Sequence, residues 1–507
     1  MTALTITRTP EIENILRQHP GVRASAACEV GGKFVAFVVP DDSYLADAVG
    51  QGAESAKLQK WKKTYDLSQM GKEAASAAVG FNIAGWHSTY TRQPIPAEQM
   101  REWVECSVQQ VLSLKAKRVL EIGCGTGLLL LRLAPGCERY VGVDFSPVVL
   151  GKLRDQLAAT DTRQCQVELL ERTADNFTGL DENSFDAVVI NSAAQYFPTL
   201  AYLERVLRGA ERVVRPGGYI LLGDLRSLLL AEPFALSVEA YQAAPELTVA
   251  ELRERAARRL RQDVQLLFSP AYFLSLVGKL SKIRAAEIEP RHGSFDNEMT
   301  RYRYDAILHV GGSETAQDIV WQPWSELEWP LDAIRRKLER DRPTSLGLAG
   351  VTNARIELDI GLMQAVASAP DSQDFASLLD EIKAKPARGI SPQAMFDLGR
   401  EGNCSVALSW ASCRRDGSYD VVFSRDAQAG RPPQVNWPEA ARGELSHYSN
   451  APGQALAREK LVAELIEHGQ RGVKDASRLR VELVDALPAK AGEVDFDALL
   501  DAVSARR

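Results

Sequence analysis

Between Trp61 and Gly312 the chain alternates short apolar runs with longer stretches of helical spacing. The runs Arg118–Ile122, Tyr140–Asp144, Val167–Leu170, Ala187–Asn191, Tyr219–Gly223 and Ala306–Val310 have strand length and are bounded by turn residues. A helix is predicted over Thr199–Val214 behind Pro198, and Arg215-Pro216-Gly217-Gly218 stops it before the next strand. Leu128–Leu133 predicts a helix directly behind the first strand. Such alternation predicts an α/β fold with a parallel sheet, helices on both faces, and a ligand crevice at the carboxyl ends of the strands.

The flanks read differently. Pro10 opens a helix over Glu11–Gln18, and Lys33–Val39 alternates like a strand. Asp41 to Gln59 is rich in Ala, Gly, Ser and Gln and reads as a linker or solvated helix. Beyond Gly312, Ser345–Ala349 reads as a short strand followed by a turn and a helix. Val406–Trp410 and Tyr419–Phe423 read as a hairpin around Asp416-Gly417, and Leu456–His468 as an amphipathic helix.

Composition narrows the class. The 507 residues suffice for several domains, with 45% apolar and 25% charged residues. A net charge of −7 without an extended basic run argues against a nucleic-acid partner. Seven cysteines without a Cys-x-x-Cys pair argue for free thiols, against structural zinc or any other metal site. The polar Met1–Pro20 stretch lacks a signal core, and no apolar run reaches the roughly 18–20 residues of a membrane span. The expectation is a cytoplasmic protein with no membrane partner.

The chemistry concentrates at strand ends. Glu121-Ile122-Gly123-Cys124-Gly125-Thr126-Gly127 closes the first strand and opens a helix. Gly123, Gly125 and Gly127 let the backbone turn tightly and approach a ligand, and the helix start offers free N–H groups. Glu121 suits a cationic amino-acid tail. Asp144 ends the next strand, where a carboxylate can accept both ribose hydroxyls, with Phe145 beside the adenine. On these features alone an NAD-linked dehydrogenase remains open, although its glycine spacing is longer. Ala174-Asp175 follows the third strand, within reach of an adenine amino group. Asn191-Ser192 ends the fourth strand ahead of Gln195-Tyr196-Phe197, with residues facing the crevice.

The order of these pieces resembles class I S-adenosylmethionine (SAM)-dependent methyltransferases, and more narrowly those inserted into adenylation domains of nonribosomal peptide synthetases. The resemblance rests on Gly85–Tyr90, Pro94–Trp103, Val189–Ser192 with Gln195–Phe197, Gly223–Ser227 and Asn297–Asp305, and covers about Tyr65 to Val310. His87 stands where such families usually carry Asn. Outside this span, Glu11–Val22, Leu456–Ile466 and Val484–Asp495 are similar to the two pieces of an adenylation C-terminal subdomain that flank such an insertion. Trp321–Phe423 is similar to the segment that accompanies these methyltransferases.

The resemblance implies SAM as cofactor and a Rossmann-like methyltransferase sheet, joined by a small split α+β subdomain and an α/β accessory region. The implied boundaries are 1–42 and 446–507 for the two halves of a degenerate adenylation subdomain, 60–312 for the methyltransferase and 313–445 for the accessory region. Ala491-Gly492-Glu493 stands where the family's Asn-Gly-Lys carries the adenylating lysine, so adenylation is not expected. Candidate catalytic residues are Glu298, Asp224, Tyr196 and His87; candidate substrate-binding residues are Asn297, Arg301, Arg226 and Gln195. Arg226 is a candidate partner for Asp224 or for a substrate carboxylate, and an ion pair with Arg301 or Arg303 is the alternative role for Glu298. The expected reaction is methylation of the amine of an amino acid or of a carrier-bound aminoacyl thioester. S- or O-methylation of a free amino-acid-like molecule and a degenerate, non-catalytic scaffold for synthetase partners are the alternatives.

Overall fold

The computed structural model describes residues 6–41, 43–45, 51–71, 80–159, 164–244, 246–312, 316–327, 329–425, 434–438, 448–450, 452–472, 479–484, 486–490 and 493–504. Parts of the expected 41–59 linker, Ser313, Asp485 and the Ala491-Gly492 pair lie outside them.

The chain divides into two compact units. One joins residues 1–59, 261–264 and 451–507. Its strands β1 (Ile6–Arg8), β2 (Val22–Val30) and β3 (Lys33–Pro40) form an antiparallel set, and Leu479–Leu483 adds in parallel to β3. Helices Pro10–Arg17 and Pro452–Gly472 contribute Ile12, Leu16, Leu461 and Leu465 to one core with Ala36 and Val38. A strand from each end of the chain is therefore needed to complete this sheet.

The second unit spans residues 60–260 and 265–450. Its main sheet contains β4 (Arg118–Ile122), β5 (Arg139–Asp144), β6 (Gln166–Glu171), β7 (Phe185–Asn191), β8 (Val214–Arg226), β9 (Ile283–Pro290) and β10 (Arg303–Val310), in the order β6-β5-β4-β7-β8-β10-β9. Strands β4 to β8 are parallel, but β10 runs antiparallel to both β8 and β9. The purely parallel expectation is thus corrected, and β9 carries no alternation clear enough to have been read from the sequence. The helix expected over Leu128–Leu133 is one turn, Leu130–Leu133, followed by a 3-10 turn at Ala134–Gly136. Strand order, not strand direction, reverses between β4 and β7, so the carboxyl ends of the parallel strands β4, β5, β7 and β8 open on one crevice at that switch point.

Residues from 316 onward in this unit add a four-stranded sheet, in the order Trp321–Pro323, Ser345–Val351, Tyr419–Ser424, Ser405–Ser409. Its helices do not stand apart from the seven-stranded sheet's own helices. Leu362, Val366, Phe375, Leu378 and Ile382 pack with Leu236, Val249 and Leu252 in one apolar cluster.

Gly209, inside helix Leu200–Val213, shows packing overriding local preference. A Cβ there would fall well inside contact distance of the Phe177 ring, which is itself buried. Helix propensity alone would favour Gly209→Ala by about 1 kcal/mol. We expect the crowding to win, with Gly209→Ala lowering stability by roughly 1–3 kcal/mol in urea unfolding; a gain would contradict this packing.

Candidate functional site

The glycine loop is built as its residue types require. Gly123, Gly125 and Gly127 have φ of +78°, +51° and +81°, in the left-handed region that side chains other than glycine rarely adopt. A Cβ on Gly123 would sit 2.8 Å from the Ala193 Cβ, and one on Gly125 would sit 3.0 Å from the Tyr65 hydroxyl. The loop is tied to the next strand end, because Gly125 N–H donates to Asp144 Oδ2 at 3.0 Å. Asp144 Oδ1 accepts from Ser146 N–H at 2.9 Å. Each oxygen keeps a further lone pair, enough for two hydroxyls of a ribose.

Burial shapes the charges here. Asp144 is pushed up to about 6 by burial, against the pull of the Ser146 and Gly125 N–H groups. Glu121 is pushed up to about 8, chiefly by burial, with Tyr140 Oη donating to its Oε2 at 2.8 Å. Glu121 is therefore neutral at pH 7 until a cation approaches it.

A helix that the sequence left as linker covers this loop. Gln51–Met70 carries Trp61 and Tyr65 one turn apart, stacked with ring centroids 6.2 Å apart. Trp61 in turn stacks on Tyr196 at 4.0 Å and 11°. The Tyr65 phenol is held well above its usual range by burial and then by the Asp144 carboxylate, and Asp66 accepts the Ser146 hydroxyl. The Trp-x-x-x-Tyr spacing was the available signal for this cover.

The other side of the crevice forms at the carboxyl ends of β7 and β8 and the start of β10. On β8, Leu222 and Leu225 pair with Ala306 and Tyr304 of β10, leaving one extra residue on β8. Asp224 fills this bulge with φ +61° and no exposure. Its N–H donates to Asp305 Oδ1 at 2.6 Å. Its carboxylate accepts from Trp103 Nε1 at 3.1 Å and from Arg303 Nη1 at 2.6 Å. Arg291, also buried, lies 3.2 Å from Asp305 and 3.9 Å from Asp224. Burial opposes both arginine charges, and the neighbouring carboxylates more than offset it. Both Asp224 oxygens are occupied, which suits holding the wall together rather than carrying protons.

Glu298 stands beside this wall. Thr89 N–H and Thr89 Oγ1 donate to it at 2.9 and 3.0 Å, and its charge reaches Arg303. Arg301 is not its partner, being held by Asp296 at 2.7 and 2.9 Å and lying 3.6 Å from Asp359. Tyr196 faces Arg303, Asp224 and Arg226, and burial raises its phenol. Gln195 is 2% exposed; its Nε2 donates to Ser192 Oγ at 3.0 Å, while its Oε1 has no donor. Asn191 lies across Gly223, where a Cβ would collide with its side-chain oxygen.

Other expected residues are placed differently. Arg226 does not pair with Asp224; it donates to Gln265 Oε1 at 2.8 Å, and Arg303 takes the aspartate. Asn297 caps helix Glu298–Tyr302 and donates to Gln99, and Arg301 is engaged by Asp296, so both hold structure rather than face the crevice freely. Asp175 accepts from Tyr202 Oη at 3.0 Å and from Thr173, beside half-buried Ala174. Those bonds already engage one of its oxygens. His87 is exposed, its backbone bridged to Pro94. Phe145 is half-buried directly after Asp144. Trp103, Arg291, Arg303 and Asp305 were missed because they are recognisable only once β8 and β10 pair. Among the described residues no group of three or more His, Cys, Asp or Glu could hold a metal ion, and no helix is long and apolar enough to cross a membrane.

The glycine cradle and the buried carboxylate fit a nucleoside ligand such as SAM. Ribose hydroxyls bind the ionised form of Asp144, so binding expels a proton below pH 6. Asp144 alone should therefore raise S-adenosylhomocysteine affinity about tenfold between roughly pH 5 and pH 7 in calorimetry, with Glu121 adding its own slope if it meets the cationic tail, and Asp144→Asn should make the profile shallower than that of the parent chain. An equally steep profile in the variant would assign the titration elsewhere.

Comparison with known proteins agrees with this geometry. A family model described as a methyltransferase domain matches residues 120–222. Chondramide synthase cmdD from Chondromyces crocatus is 36% identical over 476 residues, covering 90% of this chain and 12% of that protein. Nonribosomal peptide synthetase asqK from Emericella nidulans is 28% identical over 430 residues, covering 82% of this chain and 17% of its own length. This chain thus spans under a fifth of either relative. Among solved structures, the methyltransferase domain of bacterial CtHen1-C aligns with 16% identity and a TM-score of 0.30, over 42% of this chain and 99% of that one. The strand order, the glycine loop with Asp144 and the match over residues 120–222 identify a class I SAM-dependent methyltransferase domain, within a chain similar to segments of nonribosomal peptide synthetases.

Proposed function

We propose that the chain methylates the amine of an amino acid, in the form of a carrier-bound aminoacyl thioester, within nonribosomal peptide-type metabolism in the cytoplasm. The observation that carries the reading is the Gln195 Oε1 atom, which favours an acceptor bearing a hydrogen over a thioether sulfur; nitrogen rather than oxygen follows from the aminoacyl nature of the proposed substrate. This Oε1 is a buried carbonyl oxygen without a donor, on the turn that follows the carboxyl end of β7. An amine offers it an N–H; a thioether sulfur has none to offer. Similarity to synthetase segments supports an aminoacyl substrate presented by a carrier.

SAM, when bound, supplies a methyl group already activated on a sulfonium. The chain's own residues then have to align the acceptor, exclude water and hold its remaining proton. Gln195 would orient the amine, and Glu298, fixed by Thr89, would hold its second hydrogen or accept the proton. The Trp61–Tyr196 stack would close the crevice against water. Asp224 and Arg303 would form the rigid floor beneath Tyr196.

Labelled SAM offered with aminoacyl-loaded carrier protein, or with free amino acids, tests the reading. The expected outcome is label on the aminoacyl nitrogen of the loaded carrier. Gln195→Leu should cut kcat/KM about 10- to 100-fold with little change in S-adenosylhomocysteine affinity. Label on sulfur or oxygen of a free amino acid would replace this reading with the small-molecule alternative, and absence of cofactor binding would favour a scaffold.

A further inference from the structure

Helix Glu298–Tyr302 is too short to fix its own orientation. It is held from outside at both ends by the two-residue strap Thr89-Tyr90. Thr89 binds Glu298 at the first position of the helix, through N–H and Oγ1 at 2.9 and 3.0 Å. Tyr90 Oη meets Tyr302 Oη at 3.1 Å at the last position. Residues 298 and 302 are one turn apart, so they share a helix face. Gln242 Nε2 donates to both strap carbonyls, at 3.1 Å to Thr89 and 2.8 Å to Tyr90.

The anchor of this arrangement comes from the accessory region. Tyr302 Oη donates to Asp359 Oδ2 at 2.6 Å, and Asp359 lies on helix Glu357–Ser368. A phenol has one proton, so this bond leaves the Tyr302 oxygen only as an acceptor; Tyr90 Oη lies 3.1 Å away, and Ser237 Oγ, 3.0 Å away, also donates to the Phe234 carbonyl at 2.9 Å. Ser237 also lies 2.7 Å from Tyr90, and all four residues are buried or half-buried. Without the Asp359 carboxylate, the Tyr302 proton has no fixed direction and the strap loses its far anchor.

We propose that Asp359 is a positioning residue for methyl transfer, acting through Tyr302 and the Thr89-Tyr90 strap to fix the Glu298 carboxylate. The accessory region thereby serves the acceptor half of the reaction and leaves cofactor binding alone. This rests on the reading that Glu298 meets the acceptor amine.

Asp359→Leu, which removes the acceptor of the Tyr302 proton, Tyr302→Phe and the double variant test it in the full chain. The acceptor-independent readout is hydrogen exchange at the Thr89 amide, whose bond to Glu298 reports the held carboxylate. Each single variant should raise that exchange about tenfold, and the double no further than either single. S-adenosylhomocysteine affinity should stay within about twofold and kcat should fall about tenfold, with KM for the acceptor changing less. Unchanged Thr89 exchange, additive single effects, or an undiminished kcat in an active preparation would overturn the proposal. Parallel loss of cofactor affinity and Tm in both singles would also overturn it, as a general structural role. If Thr89 exchange responds while the wild-type chain leaves every aminoacyl substrate untouched, the clamp stands and the proposed function fails.

Discussion

One extra residue on β8 governs the crevice wall built from β8 and β10. The bulge places Asp224 in a left-handed conformation with no exposure, and such a residue is tolerated only if every polar atom is answered. Asp305 answers its N–H, while Trp103 and Arg303 answer its carboxylate. Arg291 balances Asp305 in turn. Two acids and two guanidiniums therefore enter the interior together, and removing one would strand its partner as an uncompensated buried charge. The helix carrying Glu298 leads directly into β10, so the β8–β10 pairing also fixes where that helix ends.

The cofactor side depends on a different economy of atoms. The loop between β4 and the following turn is mostly backbone, and its geometry is held by the bond from Gly125 to Asp144 together with those from the Gly123 and Cys124 N–H groups to the Val143 carbonyl. Tyr65 closes over the glycine that cannot carry a Cβ there, and Trp61 carries the same helix across to Tyr196. The cover over the glycine loop and the Tyr196 side of the crevice are thus joined through one aromatic stack. Accessory helices pack in the same apolar cluster as helices of the methyltransferase sheet, which lets a residue as distant in sequence as Asp359 reach Tyr302.

Local chemistry was the legible part of the sequence. Glycines at Gly123, Gly125 and Gly127, an acid closing the next strand and apolar runs of strand length each encode their own conformation, and the structure places all of them at one crevice. Partnerships between distant segments were not legible. Arg226 and Arg303 are equivalent as sequence, and only the β8–β10 register decides that Arg303 meets Asp224. Arg301 resembles a substrate ligand until Asp296 and Asp359 are seen around it. The Gln51–Met70 helix was obscured by an Ala-, Gly- and Ser-rich start, because its role comes from two aromatic residues rather than from an apolar stripe.

The most direct measurement is a crystal structure of the chain with S-adenosylhomocysteine. The account predicts the nucleoside over Gly123–Gly127, its ribose hydroxyls on Asp144, Tyr65 closed over it and its sulfur directed toward the Gln195, Tyr196 and Glu298 side of the crevice. A ligand bound elsewhere, or one whose ribose avoids Asp144, would contradict it.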